Sequence, residues 1–200
     1  MKIAIEGAPG VGKSTLCQAL LGTVPDSVWV EEPVAENPYL ADYYLTPSRW
    51  ALAMQVDILL RRLTSVLQIS TRRKSAEFQD RSAWGDRLFA QTALRLGLLE
   101  QREFDTYDMV FRAVTGESGV LPDAVVYLRA SADTLWERVG LRGRPEEASM
   151  TRPYLDAIQA SYDEFFMHPP AGVSVIVVDW DTFGTPESVW ASVERHFMGG

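Results

Sequence analysis

The sequence predicts a three-layer α/β fold, with a five-stranded parallel sheet flanked by helices. Three observations carry that prediction. Apolar, β-branched runs recur at Ile3 to Ile5, Val28 to Val30, Ala124 to Leu128 and Val173 to Val178, and the stretches between them are long enough for helices. Most of these runs end in charged or glycine-rich residues, and ligands of such sheets gather at the carboxyl ends of the strands. The 200 residues are 46% hydrophobic, and no long Pro/Gly/Ser or single-charge stretch divides them, so one domain over 1–200 is expected.

Taken in order, the first run, Lys2 to Glu6, leads directly into Gly7-Ala8-Pro9-Gly10-Val11-Gly12-Lys13-Ser14, and Thr15 to Leu21 continues as a helix. The second run ends in Glu31-Glu32-Pro33. The longest helix starts at Pro47, a favoured first-turn residue, and runs to about Ser70. On it Trp50, Met54 and Ile58 share one stripe, while Gln55, Leu59 and Arg62 form another. That second stripe faces either solvent or a site. A weaker strand is expected at Glu77-Phe78-Gln79-Asp80, followed by Arg81-Ser82 and a helix from Ala83 to Leu96. The strand at 124–128 is followed by a helix that leads to Arg138, Arg142 and Arg144. The last run ends in Asp179-Trp180-Asp181.

Composition narrows the partners. A formal net charge of −8 argues against the broad basic surface that nucleic-acid polymers require. The single cysteine, Cys17, lies inside the first apolar helix, where a packed thiol is expected, and it fits a reducing cytoplasm. No segment has the roughly 18 uninterrupted apolar residues of a membrane span, and the chain enters a core strand at once. A soluble, unprocessed protein is therefore expected.

The segment Gly7 to Ser14 fits G-x-x-x-x-G-K-[ST], and here it has the strand before it and the helix after it that give the pattern meaning. Curled glycine backbone and a helix N-terminus both direct N–H groups at an anion. Lys13 would bridge the outer phosphates of a nucleoside triphosphate, and Ser14 would offer its hydroxyl to Mg²⁺. The fold class sharpens to a phosphate-loop NTPase with an arginine-rich lid at about 138–150.

Phosphoryl transfer needs an aligned acceptor, Mg²⁺ and positive charge on the phosphate oxygens. An alcohol acceptor benefits from a carboxylate at hydrogen-bond distance, whereas a phosphate acceptor is repelled by one. Glu32, at a strand end and locked by Pro33, is the candidate base. Asp80 can hold Mg²⁺ directly or through water, and Arg81 can pair with Glu32 and contact the moving phosphoryl group. Arg138 and Arg142 are one helical turn apart, and Gly143 and Pro145 break the helix beyond them, as in a phosphate-clamping lid.

In their order and spacing these motifs resemble the deoxynucleoside kinase family. They comprise the phosphate loop, Glu32-Pro33-Val34, Tyr44 before Pro47-Ser48-Arg49-Trp50-Ala51, Gln55, Asp80-Arg81-Ser82, and Arg138 to Glu147. The resemblance implies ATP held by Gly7 to Thr15 and by Arg138, Arg142 and Arg144. It also implies Mg²⁺ at Ser14 and Asp80, and Glu32 as base for a 5′-hydroxyl with Arg81 as its partner. Tyr44 and Glu147 would bind the sugar 3′-hydroxyl, while Gln55, Arg62 and Asp86 would meet the base. A homodimer is implied too. Two features depart from the family: Asp80 stands where the animal enzymes usually have Glu, and Gly140 where relatives often carry a basic residue. Adenine, guanine and cytosine offer amino or ring N–H donors to a carboxylate such as Asp86; thymine presents a carbonyl instead. Thymidine is therefore disfavoured, and because the stretch Glu32 to Leu40 resembles the bacterial purine deoxynucleoside kinases, deoxyadenosine or deoxyguanosine is expected ahead of deoxycytidine. The competing readings are a nucleoside monophosphate kinase, which has no use for Glu32 as a base, and a nucleotide switch. An Asn-Lys-x-Asp guanine-reading motif is not found in the chain.

Overall fold

The computed structural model describes residues 1–70, 74–116 and 120–199. In chain order the elements are β1 (Lys2–Glu6), α1 (Lys13–Thr23), β2 (Ser27–Val30), α2 (Leu40–Leu45), α3 (Pro47–Ser70), β3 (Ala76–Asp80), α4 (Ala83–Arg95), α5 (Gln101–Thr115), β4 (Ala124–Arg129), α6 (Ala132–Arg142), a 3₁₀ turn (Pro145–Glu147), α7 (Arg152–Met167), β5 (Val175–Asp179) and α8 (Pro186–Met198). The five strands pair in the order β2-β3-β1-β4-β5, all parallel, with Ile5 opposite both Asp80 and Val126. The chain crosses to either side of β1, so the crevice at the carboxyl ends of β1 and β3 is where such a sheet binds ligands.

β1 and β4 are apolar on both faces because helices cover both: Ile3, Ala4, Ile5, Val126 and Leu128 are fully buried. β3, expected as the weakest strand, is buried along its whole length. Its polar residues find partners inside the protein, with Gln79 Nε2 donating to Glu77 Oε1 at 2.8 Å and Asp80 accepting from Ser14. Phe78 anchors the strand edge-to-face on Trp190, 6.0 Å between ring centres. The last strand starts two residues later than the apolar run suggests, because the Val173 N–H bonds back to Pro170 O in a turn.

Helix starts follow their capping residues. Ser82 caps α4, Ser131 α6, Thr151 α7 and Thr185 α8, each accepting a backbone N–H with its side chain. α3 buries Ala51, Met54, Gln55, Ile58, Leu59, Arg62 and Val66, which recur at every turn along one side of the helix. The stripe that sequence left between solvent and site thus turns inward. With α2, α4 and α5 it forms a second core beside the one on the sheet, and the cavity described below opens between the two.

Candidate active site

The loop between β1 and α1 is drawn tight against the rest of the fold. Gly10 has φ +88°, and a Cβ there would lie 2.8 Å from the carbonyl oxygen of Leu135, so only glycine fits. Lys13 opens α1 and donates from Nζ to Gly7 O at 3.0 Å. Burial and the charge of Arg81 push its ammonium pKa down to about 8, opposed by Glu32, Asp80 and Glu6. Ser14 Oγ donates to Asp80 Oδ2 at 2.5 Å. The other oxygen, Asp80 Oδ1, is buried without a hydrogen-bond partner among the described residues.

Glu32 follows β2 and reaches across β3 to Arg81, whose Nε donates to Glu32 Oε1 at 2.6 Å; Arg62 Nη2 stands 3.6 Å from the same oxygen. Burial alone would raise the Glu32 carboxyl, but Arg81, Lys13 and Arg62 outweigh it and hold the pKa down, so the group is ionised at neutral pH. Arg81 takes φ +70° and lies over the Phe89 ring, 4.5 Å to its centre. Arg62 grips Asp86 with two bonds, Nε to Oδ2 at 2.6 Å and Nη2 to Oδ1 at 3.0 Å. Its Nη1 caps the carbonyls of Asp80 and Arg81, both at 2.9 Å.

One cavity has Lys13, Glu32, Tyr44, Gln55, Arg81, Asp86, Arg142, Arg144 and Glu147 in its wall, residues that are scattered over 135 positions of sequence. Gln55 is buried, and its Nε2 has no partner among the described residues. Glu147 is bound by Arg142 Nη2 at 2.5 Å. Burial, reinforced by the Glu147 charge, keeps the Tyr44 hydroxyl well above the usual phenol range.

Two of the expected site residues stand apart from this cavity or turn away from it. Arg62 does not line this cavity; it stands behind Asp86, where its donors are already taken by that carboxylate and the two carbonyls. Arg138 does not turn the same way as Arg142. It donates to Trp180 O at 3.0 Å and Asp181 O at 2.8 Å, with its guanidinium 3.9 Å from the centre of the Phe183 ring. Arg142, the last residue of α6, instead turns to Glu147 past the end of the helix.

Sequence reasoning passed over several wall residues. Tyr43 and Tyr154 join hydroxyl to hydroxyl at 3.0 Å, and Met54, Ile58 and Phe89 supply apolar surface. Their spacing reads as ordinary core, and no local signal separates the two. Glu6 lies behind the wall and is different: an acid in an otherwise apolar strand, next to the phosphate loop, is a signal that could have been used.

A model of the family described as deoxynucleoside kinase matches residues 3–197. The chain belongs to that family. Consistent with this, a deoxyadenosine kinase of Dictyostelium discoideum is 31% identical over 195 residues, spanning 98% of this chain and 78% of its own. A deoxyadenosine/deoxycytidine kinase of Bacillus subtilis is 30% identical over 165 residues, 82% of this chain and 75% of that one. Among solved structures, a deoxyadenosine kinase from M. mycoides with bound dATP superposes with a TM-score of 0.85 at 28% identity, covering 97% of this kinase and 99% of that chain. The kinase therefore phosphorylates deoxynucleosides, with a nucleoside triphosphate as phosphate donor. Among its described residues no helix is long and apolar enough to cross a membrane.

Proposed function

We propose that this kinase moves the γ-phosphoryl group of ATP to the 5′-hydroxyl of deoxyadenosine or deoxyguanosine, with deoxycytidine as a lesser substrate. The observation that carries this reading is an ionised carboxylate, Glu32, that shares one cavity wall with the phosphate-loop lysine and with Gln55 and Asp86. A hydroxyl acceptor gains a hydrogen bond from that group, whereas a monophosphate acceptor would meet its negative charge, which disfavours the monophosphate kinase reading. While Arg81 holds Glu32, the carboxylate is a weak base. As Arg81 shifts toward the transferring phosphoryl oxygens, Glu32 loses its strongest counter-charge and gains affinity for the 5′-hydroxyl proton.

The wall also supports a base preference. Asp86 presents an acceptor and Gln55 Nε2 a free donor, which suits a ring edge carrying an amino group beside a ring nitrogen. Thymine would place a carbonyl against Asp86. Tyr44 and Glu147 would hold the sugar 3′-hydroxyl, and Arg142 and Arg144 the phosphates. Arg138, with Phe183 beside Gly12, would instead meet the donor base. Mg²⁺ is a hard cation that takes oxygen ligands and keeps several waters. Ser14 Oγ and the unpartnered Asp80 Oδ1 fit it, and with ATP it would supply charge neutralisation at the phosphates. The outer face of α3 exposes Leu60 and Leu67, each 43% accessible, and is the surface we assign to a homodimer. The reduced, buried Cys17 suits a cytoplasmic protein.

The test is ADP release with Mg²⁺ and ATP against deoxyadenosine, deoxyguanosine, deoxycytidine, thymidine and their 5′-monophosphates, beside a blank without acceptor. Turnover on the purine deoxynucleosides with thymidine poor is the expected result. Turnover on monophosphates alone would overturn the reading.

A further inference from the structure

Behind the cavity wall lies a polar cluster for which the roles above have no use. Glu6, the last residue of β1, is wholly buried. Its Oε1 accepts from the Ser82 backbone N–H at 2.7 Å and from Ser82 Oγ at 2.6 Å, and its Oε2 accepts from the Tyr162 hydroxyl at 3.0 Å. The same hydroxyl accepts a hydrogen bond from Arg81 Nη1. Burial raises the Glu6 carboxyl above the usual carboxylate range, and the opposing pull of Arg81, Ser82 and Arg62 does not cancel that rise. A carboxyl in the middle of a core costs stability unless its lone pairs are met, and here both oxygens are.

With Glu6 as the carboxylate, the direction of donation in this cluster follows. A guanidinium only donates, so the Tyr162 oxygen accepts from Arg81, and the one proton of the phenol goes to Glu6. The remaining sides of Arg81 are set as well: Nε is held by Glu32 at 2.6 Å and the flat face by Phe89 at 4.5 Å. Two backbone features serve the same meeting. Arg81 takes φ +70°, a conformation that non-glycine residues adopt only when their surroundings enforce it, and its N–H donates to Ile5 O, the residue before Glu6. Facing them, the first turn of α4 has no side chain at Gly85. A Cβ there would lie 2.5 Å from Arg81 Cγ and 2.7 Å from each Glu6 carboxyl oxygen.

We propose that Glu6 and Tyr162 are the positioning pair for Arg81, setting the orientation from which its guanidinium holds Glu32 at the acceptor and turns to the phosphoryl group as it transfers. Neither residue lines the cavity, so both act through Arg81. The inference rests on the roles proposed above for Glu32 and Arg81. If Tyr162 only filled the core, its hydroxyl would matter for stability alone. Its ring stacks on Tyr127 and packs against Phe166, and phenylalanine keeps both contacts.

The deciding experiment is a kinetic double-mutant cycle on the full chain with Mg²⁺, ATP and deoxyadenosine. Tyr162→Phe should lower kcat about ten-fold, the loss expected for one charge-assisted hydrogen bond, and leave KM for ATP within about two-fold. In an Arg81→Lys background the same substitution should cost under about two-fold, because the group it positions is gone. Glu6→Gln provides a second variant. It turns an amide donor toward either Ser82 N–H or the Tyr162 hydroxyl, and it should lower kcat to a similar degree without adding to Tyr162→Phe. Unchanged kcat in Tyr162→Phe, or a ten-fold loss that persists in the Arg81→Lys background, would overturn the proposal. Glu32→Gln, assayed alongside, separates the two levels. If it retains wild-type kcat, the reading of Glu32 falls and this inference with it. If it loses turnover while Tyr162→Phe does not, this inference alone falls.

Discussion

Removing the Asp86 carboxylate tests both the stability and the selectivity that the buried Arg62–Asp86 pair is argued to provide. Both residues are nearly fully buried, and the pair is bidentate at 2.6 and 3.0 Å. Truncating one partner of such a pair typically costs about 3–5 kcal/mol, because the other charge is left buried. Arg62 would keep the carbonyls of Asp80 and Arg81 at 2.9 Å, and the Glu32 carboxylate at 3.6 Å, so the lower end of that range applies to Asp86→Ala. For a domain of this size about 3 kcal/mol lowers Tm by roughly 6–12 °C. Asp86→Asn keeps the shape and one acceptor for Arg62, so it should lose about half as much. In exchange it offers the cavity an amide donor where the wild type offers only acceptors. Thymine O4 would then meet a donor, and the ratio of kcat/KM for deoxyadenosine over thymidine should fall by about ten-fold or more. Circular-dichroism melting of both variants and steady-state kinetics of Asp86→Asn are the assays. A Tm for Asp86→Ala within about 2 °C of wild type would refute the energetic argument, and an unchanged selectivity ratio in Asp86→Asn would refute the role in base choice.

Lys13 predicts a pH dependence. Its pKa is lowered on folding from 10.5 to about 8, so between these values the unfolded chain holds a proton that the folded one has released. This group's contribution to stability therefore rises across that window. Affinity for Mg·ATP, measured by calorimetry, should instead weaken by up to about ten-fold per unit above pH 8, and binding that stays flat to pH 9.5 would contradict the assignment. Arg138→Ala removes a cation–π contact and two bonds to the loop before α8. It should raise KM for ATP about ten-fold while leaving KM for the deoxynucleoside unchanged, and equal shifts in both would return Arg138 to the phosphates. Chelating divalent cations should abolish turnover without lowering Tm; activity surviving chelation would remove Ser14 and Asp80 from a metal role.

Much of the architecture was legible because β1, β4 and the phosphate loop carry strong local signals: a β-branched run, a glycine pattern, a helix start. β3 was harder to read, since three of the five residues in Ala76–Asp80 are polar, and its burial depends on partners from elsewhere in the chain. The candidate site was legible as a set of short motifs whose order mattered more than any one of them. Geometry within that set was not. Arg138 and Arg142 lie one turn apart on α6, yet the first is captured by the Trp180 and Asp181 carbonyls and the second by Glu147, contacts that cross 42 and 5 residues of sequence. Arg62 was placed at the base by its spacing from Gln55, but spacing does not show that Asp86 stands in front of it. Glu6 and Tyr162 lie 156 positions apart and meet only in the folded chain.

The most direct test of the central claim is kcat of Glu32→Gln with saturating Mg·ATP and deoxyadenosine. Gln preserves the volume and an acceptor for Arg81 Nε, so binding of both substrates should persist with KM values within about three-fold, while turnover falls by about 10² or more for want of the proton acceptor. Turnover within about three-fold of wild type would show that the 5′-hydroxyl is activated by some other group, and the account of this site would fail at its centre.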